Sequence, residues 1–162
     1  LYKLLLLVLM VTVWMILQLQ QVNEEVAMKM LFMGKRAVNR AAHAAALQLD
    51  REALSEGILR IDEVAAKAAA LSYLAANLRL DANGRPLEAS PLREPVEVLI
   101  FEIINDDHSF PYVYRSDEYN YEATLRSPGV ILIVRMEHPG LSSNAESIGW
   151  NIKGVAEHVS VN

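Results

Sequence analysis

The chain opens on an apolar stretch with no polar face. Leu1 to Leu19 read LYKLLLLVLMVTVWMILQL, and only Lys3, Thr12 and Gln18 interrupt the run with polar side chains. A helix of that length spans roughly 28 Å, close to the ~30 Å hydrocarbon thickness of a bilayer. Lys3 stands at one end, where its stem can snorkel to an interface, and Trp14 lies nearer the other. Three readings compete for such a segment. A cleaved secretory signal would end in small residues, whereas this run ends in Gln18, Leu19, Gln20, Gln21 and Val22. A buried core helix would need enough remaining chain to wrap it on every side, and the remainder is too small. A membrane-spanning or helix-bundle segment fits the pattern. Its orientation carries signals of both signs. Lys3 favours a cytoplasmic amino terminus, while Lys29, Lys35, Arg36 and Arg40 follow the other end.

The helical pattern continues beyond this segment. No Gly or Pro occurs before Gly34, and no Pro before Pro86. Residues 22–49 are rich in Ala, Met, Leu, Lys, Arg and Gln, all good helix formers. Leu31, Val38, Ala42, Ala45 and Leu49 form an apolar stripe with a period near 3.6, and Lys29, Arg36, Arg40 and His43 form a polar one. One continuous helix over residues 1 to about 49 would be roughly 73 Å long. Its outer half has a head to pack on; its inner half has nothing in the same chain. Gly34 is either a close-packing position or a kink site.

Ser55-Glu56-Gly57 interrupts the first pattern. Asp62 is placed to cap a second helix from Glu63 to about Leu78, in which Ile61, Val64, Ala68, Leu71, Ala75 and Leu78 recur at three and four. Pro86, Pro91 and Pro95 forbid regular helix across a linker at 79–95. Strand patterns then follow at 96–104, 112–115, 119–125, 129–136, 148–152 and 155–161. Asn105 to His108 reads as a turn, and a loop runs from His138 to about Glu146. The expected class is α+β: a long N-terminal hydrophobic stem helix, a second short helix and a small antiparallel β-sheet head. The expected division is a stem at 1–50, with 1–19 as its membrane-spanning or filament-core part, and a head at 51–162. The head would hold the helix at 62–78, the linker and a sheet over 96–161, one face of it packed on the long helix.

Composition narrows the function. At 162 residues and 18.1 kDa the chain fits one domain and excludes a multidomain enzyme. Its net charge of -5 is unevenly spread. Residues 1–51 hold six Lys/Arg and three Asp/Glu, and the rest hold nine and seventeen. An acidic head repels phosphate backbones, so no nucleic-acid partner is expected. The absence of cysteine excludes a disulfide framework, a thiolate zinc site and a cysteine nucleophile. His43, His108, His138 and His158 show no i, i+4 metal spacing. Asp106-Asp107-His108 is a cation ligand set or, more simply, a solvated turn. Glu24-Glu25 is a channel carboxylate pair or an interfacial boundary. Ser142-Ser143-Asn144 has no nearby base. The run FPYVYRSDEYNY at 110–121 is ordinary strand content or a sticky outer surface. No Gly-rich phosphate loop, nucleophile elbow or Walker-like sequence occurs. No enzyme, metal or cofactor is expected.

A helix that is membrane-like in its first half and amphipathic in its second, followed by a small β-rich head, resembles type IV pilins and pseudopilins, the tight-adherence group included. The segment KRAVNRAAHAAALQLD, Lys35 to Asp50, is similar in character to their post-membrane helix. The resemblance is one of architecture and covers the whole chain. It departs at Leu5, where type IV pilins usually carry Glu, and in lacking a C-terminal disulfide loop. A chain that opens on Leu1 looks like the product of a prepilin peptidase; an unusual start codon or a truncated sequence would look the same.

The resemblance implies a structural subunit, not an enzyme. Such a subunit waits in the inner (cytoplasmic) membrane, is extracted by pilus assembly machinery, and polymerises with identical copies into an extracellular filament at the cell surface that serves adhesion. Its subunit interface would hold Leu4, Leu5, Leu7, Val8, Val11, Trp14, Met15 and Leu19, with Lys3, Glu24 and Glu25. An unpaired buried charge is costly. Lys3 is therefore expected to meet Glu24 or Glu25 of a copy displaced by about 21 or 22 residues, roughly 32 Å; otherwise it faces a lumen, a lipid headgroup or its own terminus. The alternative is a single-pass, membrane-anchored minor pseudopilin of a secretion or adherence machine. A membrane-anchored enzyme is the third reading, and the sequence supplies no site for it.

Overall fold

The computed structural model describes residues 1–139 and 147–158. Three helices and five strands occur among the described residues. They are α1 (Tyr2–Ala46), α2 (Arg51–Ser55), α3 (Glu63–Leu78), β1 (Glu97–Ile104), β2 (Tyr112–Ser116), β3 (Tyr121–Leu125), β4 (Gly129–His138) and β5 (Ile148–Glu157). The α+β layout with a long apolar N-terminal helix is the one the sequence led to expect.

The helix α1 stops at Ala46, a little before the expected 49. Gln48 Nε2 donates to the Ala44 carbonyl at 3.0 Å, satisfying one of the last free acceptors, and Leu49 leaves to form a β-bridge with Ile61. The short α2 was not expected. Asp50 nucleates it by accepting hydrogen bonds from the Glu52 and Ala53 amides. Asp62 caps α3 as expected, accepting from the Ala65 amide at 2.9 Å.

The buried stripe of α3 differs from the expected one. Ala66, Ala70, Leu74 and Leu78 are buried, while Val64 and Leu71 face solvent. Most of α3 is apolar, so periodicity alone left two stripes to choose from. The alanine stripe wins because it lets α3 approach α1, which offers its own small residues, among them Ala37, Ala41 and Ala45. Close approach multiplies dispersion contacts that are individually small. The two helices run antiparallel: Leu49 bridges Ile61 at one end, and Arg40 Nη1 donates to Asn77 Oδ1 at 2.9 Å further down.

The sheet has the order β1-β4-β5, antiparallel throughout. Gly129 to Val134 are all buried in the central β4, as an unbroken apolar run requires when both faces are covered. Val130, Leu132, Val134 and Met136 point into the core with α1 and α3. Ile131 and Ile133 point the other way, into a second cluster with Ile104, Tyr114 and Leu125. That second face is covered by β2 and β3, which pair only with each other. The single sheet expected over 96–161 is thus two sheets, and the head has three layers. Pairing is set by contacts distant in sequence, so local strand patterns could not separate the hairpin from the sheet.

The strands expected at 148–152 and 155–161 form one continuous β5, paired from Ile148 to Glu157 with β4. Gly154 reads as a break in sequence. In the fold it is the place where α1 crosses: a Cβ there would lie 2.8 Å from Val38 Cγ1 and 3.3 Å from the Val38 carbonyl oxygen. Gly34 serves α1 in the same way. A Cβ on it would collide with Ile152 Cδ1 and Met136 Sδ, and the helix continues through it unbroken. It is therefore the close-packing position. Four helical residues cover about 6 Å and two strand residues about 6.7 Å. Positions 34 and 38 thus keep step with 152 and 154, and α1 runs along β5 in the same direction. Residues 159–161 of the expected last strand, and the loop at 140–146 with Ser142, Ser143 and Asn144, lie outside the described residues.

The linker at 79–95 has no regular structure but is tied down. Ser90 Oγ donates to the Leu78 carbonyl at 2.7 Å, and the Val96 amide donates to the Gly84 carbonyl at 2.9 Å.

Candidate functional surface on the apolar rod

Burial along α1 begins at Ala27 and continues with Met30, Gly34, Ala37, Val38 and Ala41 to Ala46 except His43. The packed head therefore includes the second half of α1. Residues 1–22 are all exposed. The projecting part, 2–22, is roughly 32 Å of bare helix. Its most apolar 18-residue window has a mean hydropathy of 2.1 and is 0% buried, and the helix is long and apolar enough to cross a membrane.

Every apolar residue expected at the interface stands free of the head. Leu4, Leu5, Leu7, Val8, Trp14, Met15 and Leu19 range from 71% exposed at Leu4 down to 54% at Val8, with Val11 at 48%. Thr12 does not break this surface, because its hydroxyl donates to the Val8 carbonyl at 2.8 Å within the same helix. Full burial of one Leu-sized side chain is worth about 1.5–3 kcal/mol. A bare helix already hides roughly half of each side chain. About a dozen such residues then leave on the order of 10–20 kcal/mol of unfavourable water contact, as large as the whole stability of an ordinary domain, about 5–15 kcal/mol.

The charged candidates separate. Glu25 pairs with Lys29 one turn on, at 2.7 Å. Glu24 and Lys3 have no ion pair among the described residues, and they stand about 32 Å apart along the rod. The fold does not bring Lys3 to either carboxylate within one molecule.

The apolar surface also outlasts the expected end at Leu19. Val22, Met28 and Phe32 are each about half exposed. Met28 and Phe32 sit one turn apart, and that spacing is the signal by which a second apolar stripe is legible in the sequence.

The remaining candidates lie outside the projecting rod. Asp106 is gripped by Arg60, whose Nε and Nη2 donate at 2.7 and 2.9 Å; this hydrogen bonding holds the Asp106 carboxyl below its ordinary range. The neighbouring Asn105 is buried, accepting from the Ile61 amide at 2.8 Å and donating to its carbonyl at 3.1 Å. The turn at 105–108 is a clasp that joins the sheet to the entry of α3. His108 stacks edge-on with Tyr112 at 4.7 Å and its Nδ1 lies 2.9 Å from Asp107. His43 is exposed, while His138 is buried at the end of β4. The aromatic run at 110–121 is drawn onto the second cluster. Tyr114 is buried, and Phe110, Tyr112, Tyr119 and Tyr121 pack around it against the second face of β4. The strand alternation that puts Tyr112 and Tyr114 on one face turns that face inward.

Comparison with known proteins finds no matching family model, no matching curated protein and no matching solved structure.

Proposed function

We propose that this chain is a structural subunit of the type IV pilin kind, polymerising with identical copies through its apolar rod into an extracellular filament at the cell surface. The observation that carries the reading is the rod itself: residues 1–22 are exposed and almost wholly apolar, joined without a break to a helix that is the spine of a packed head. Water cannot host that surface at an acceptable free energy. Lipid can, and so can a bundle of identical rods. A subunit with this form rests in the membrane through residues 1–19 and passes from lipid to a protein core when assembly machinery draws it out. In the bundle, Lys3 of one copy meets Glu24 of another displaced by about 32 Å, because Glu25 already has Lys29.

The second reading is a membrane-anchored minor pseudopilin that does not polymerise by itself, and the membrane-spanning length of the rod favours it. Shearing cells and imaging the released fraction by negative stain separates the two. Thin filaments containing this chain, recovered without detergent, support the first reading. Recovery only from the detergent-soluble membrane fraction overturns it in favour of the second.

A further inference from the structure

Two patches of opposite charge flank the C-terminal half of α3. On one side a groove of about 870 Å³ opens between α3, the 79–95 linker and the edge of β1 and β4. Leu71 and Leu80 contribute to its apolar lining. Its charged residues are Asp81, Glu94, Glu97 and Glu137 against one cation, Arg135, and Arg135 is already held by Glu137 at 2.7 Å. On the other side a hollow of about 350 Å³ between α1 and α3 is lined by Lys29, Phe32, Arg36 and Arg40 and by no carboxylate. Each patch has one half-exposed apolar residue: Leu71 at 46% in the acidic groove, Phe32 at 49% in the basic hollow.

We infer that the two patches are the halves of one contact between copies. The basic ridge of α1 in one molecule seats in the acidic groove of the next, with Phe32 over the leucine floor and Arg36 between Glu94 and Glu97. The inference rests on the filament reading and extends it from rods to heads. Three observations carry it. The lining charges are opposite in sign: Asp81, Glu94 and Glu97 line the groove beside the Arg135–Glu137 pair, and Arg36 and Arg40 line the hollow beside Lys29, which Glu25 already holds; such complementarity gives register and suppresses wrong pairings. Within one molecule α3 stands between the patches, so they cannot satisfy each other. The patches lie at the same level, since Asn77 borders the hollow and residues 71–75 border the groove. The neighbours that meet here therefore lie side by side at the base of the head, and are not the pair displaced by about 32 Å in which Lys3 meets Glu24. Because the two halves differ, the contact is head-to-tail, and a head-to-tail contact propagates into rings or helical filaments where a two-fold contact would close as a dimer.

The chain has no native cysteine, so introduced ones report cleanly. A full-length chain carrying both Phe32→Cys and Ala82→Cys, oxidised in the filament or membrane fraction, is expected to give a ladder of dimers, trimers and longer species. Adding Arg36→Glu is expected to abolish the ladder, and adding Glu94→Arg to that chain to restore it. Dimers from Phe32→Cys alone would mean a two-fold contact and overturn the inference. So would an adduct of the Ala82→Cys chain with a different protein and not with its own copies. Filaments seen by negative stain without a ladder overturn the head contact and leave the rod reading standing. Absence of both filaments and ladder overturns the rod reading itself.

Discussion

Replacing Gly34 with alanine sets two terms of opposite sign against each other. In a free helix interior the change stabilises by about 1 kcal/mol. In this chain the new methyl enters space held by Ile152 Cδ1 and Met136 Sδ, on side chains only 2% and 0% exposed. Overpacking of this kind costs about 1–3 kcal/mol. The atoms in the way are the tips of flexible side chains, which puts the cost near the middle of that range. The expected net effect of Gly34→Ala is a loss of about 1 kcal/mol. Valine recovers less helix propensity and adds two more methyls, so Gly34→Val should lose about 2–3 kcal/mol. The assay is chemical denaturation of the full chain in mild detergent, in a Trp14→Phe background so that Trp150, packed against the core, reports on the head alone. Lys35→Ala, on the exposed side of the same turn, should move stability by less than about 0.5 kcal/mol. If Gly34→Ala instead stabilises by the full propensity gain, α1 is not seated on β4 and β5, and the reasoning that anchors the rod in the head is wrong.

Asn105→Ala should cost about 1–3 kcal/mol in the same denaturation experiment, because it strands both the amide and the carbonyl of Ile61 in a buried place. The Arg60–Asp106 pair sets an acid limb. The folded-state pKa of Asp106 is lowered, first by its hydrogen bond to Arg60. Its contribution is therefore complete above the unfolded value of about 3.9 and is lost as pH falls through the lowered folded value. Arg60→Gln should flatten that limb by lowering stability above about pH 4 while leaving it nearly unchanged near pH 2, where the pair no longer contributes, read as denaturation midpoints from about pH 6 down to about pH 2. Lys3→Glu should prevent assembly, and Glu24→Lys in the same chain should restore it. Lys3→Met filaments of ordinary yield and stability would remove the pairing.

What the sequence made legible was whatever is decided locally or by composition. The rod announces itself because nineteen consecutive positions carry almost no polar side chain. Helix α3 runs over the expected residues because Asp62 caps it and alanines fill it. Both are short-range effects. Which face α3 buries was not legible, since Val64 and Leu71 are as apolar as Leu74 and Leu78; the choice came from α1 lying close by. The reason for a glycine at 154 inside β5 is Val38, more than a hundred positions away, and the strand runs through it on its pairing with β4. The clasp of Asn105 and Arg60 is equally non-local, and so is the burial of the aromatic run beneath a hairpin that no strand pattern separates from the main sheet. The apolar positions from Leu4 to Leu19 were legible as a run without a polar face, and the structure leaves them exposed on a bare helix. The fold brings Lys3 to neither Glu24 nor Glu25 within one molecule.

Residues 1–22 stand clear of the head of their own chain, and the whole account depends on that. Sedimentation of two chains in detergent-free buffer tests it most directly: the full chain, and one that begins at Ala27. The shortened chain should be a folded monomer with the β-sheet spectrum of the head, and the full chain should never sediment as a monomer, only as filaments or larger assemblies. A full chain that sediments as a single molecule without detergent, with the amides of residues 1–19 protected and their side chains shielded from surface labelling, would contradict it.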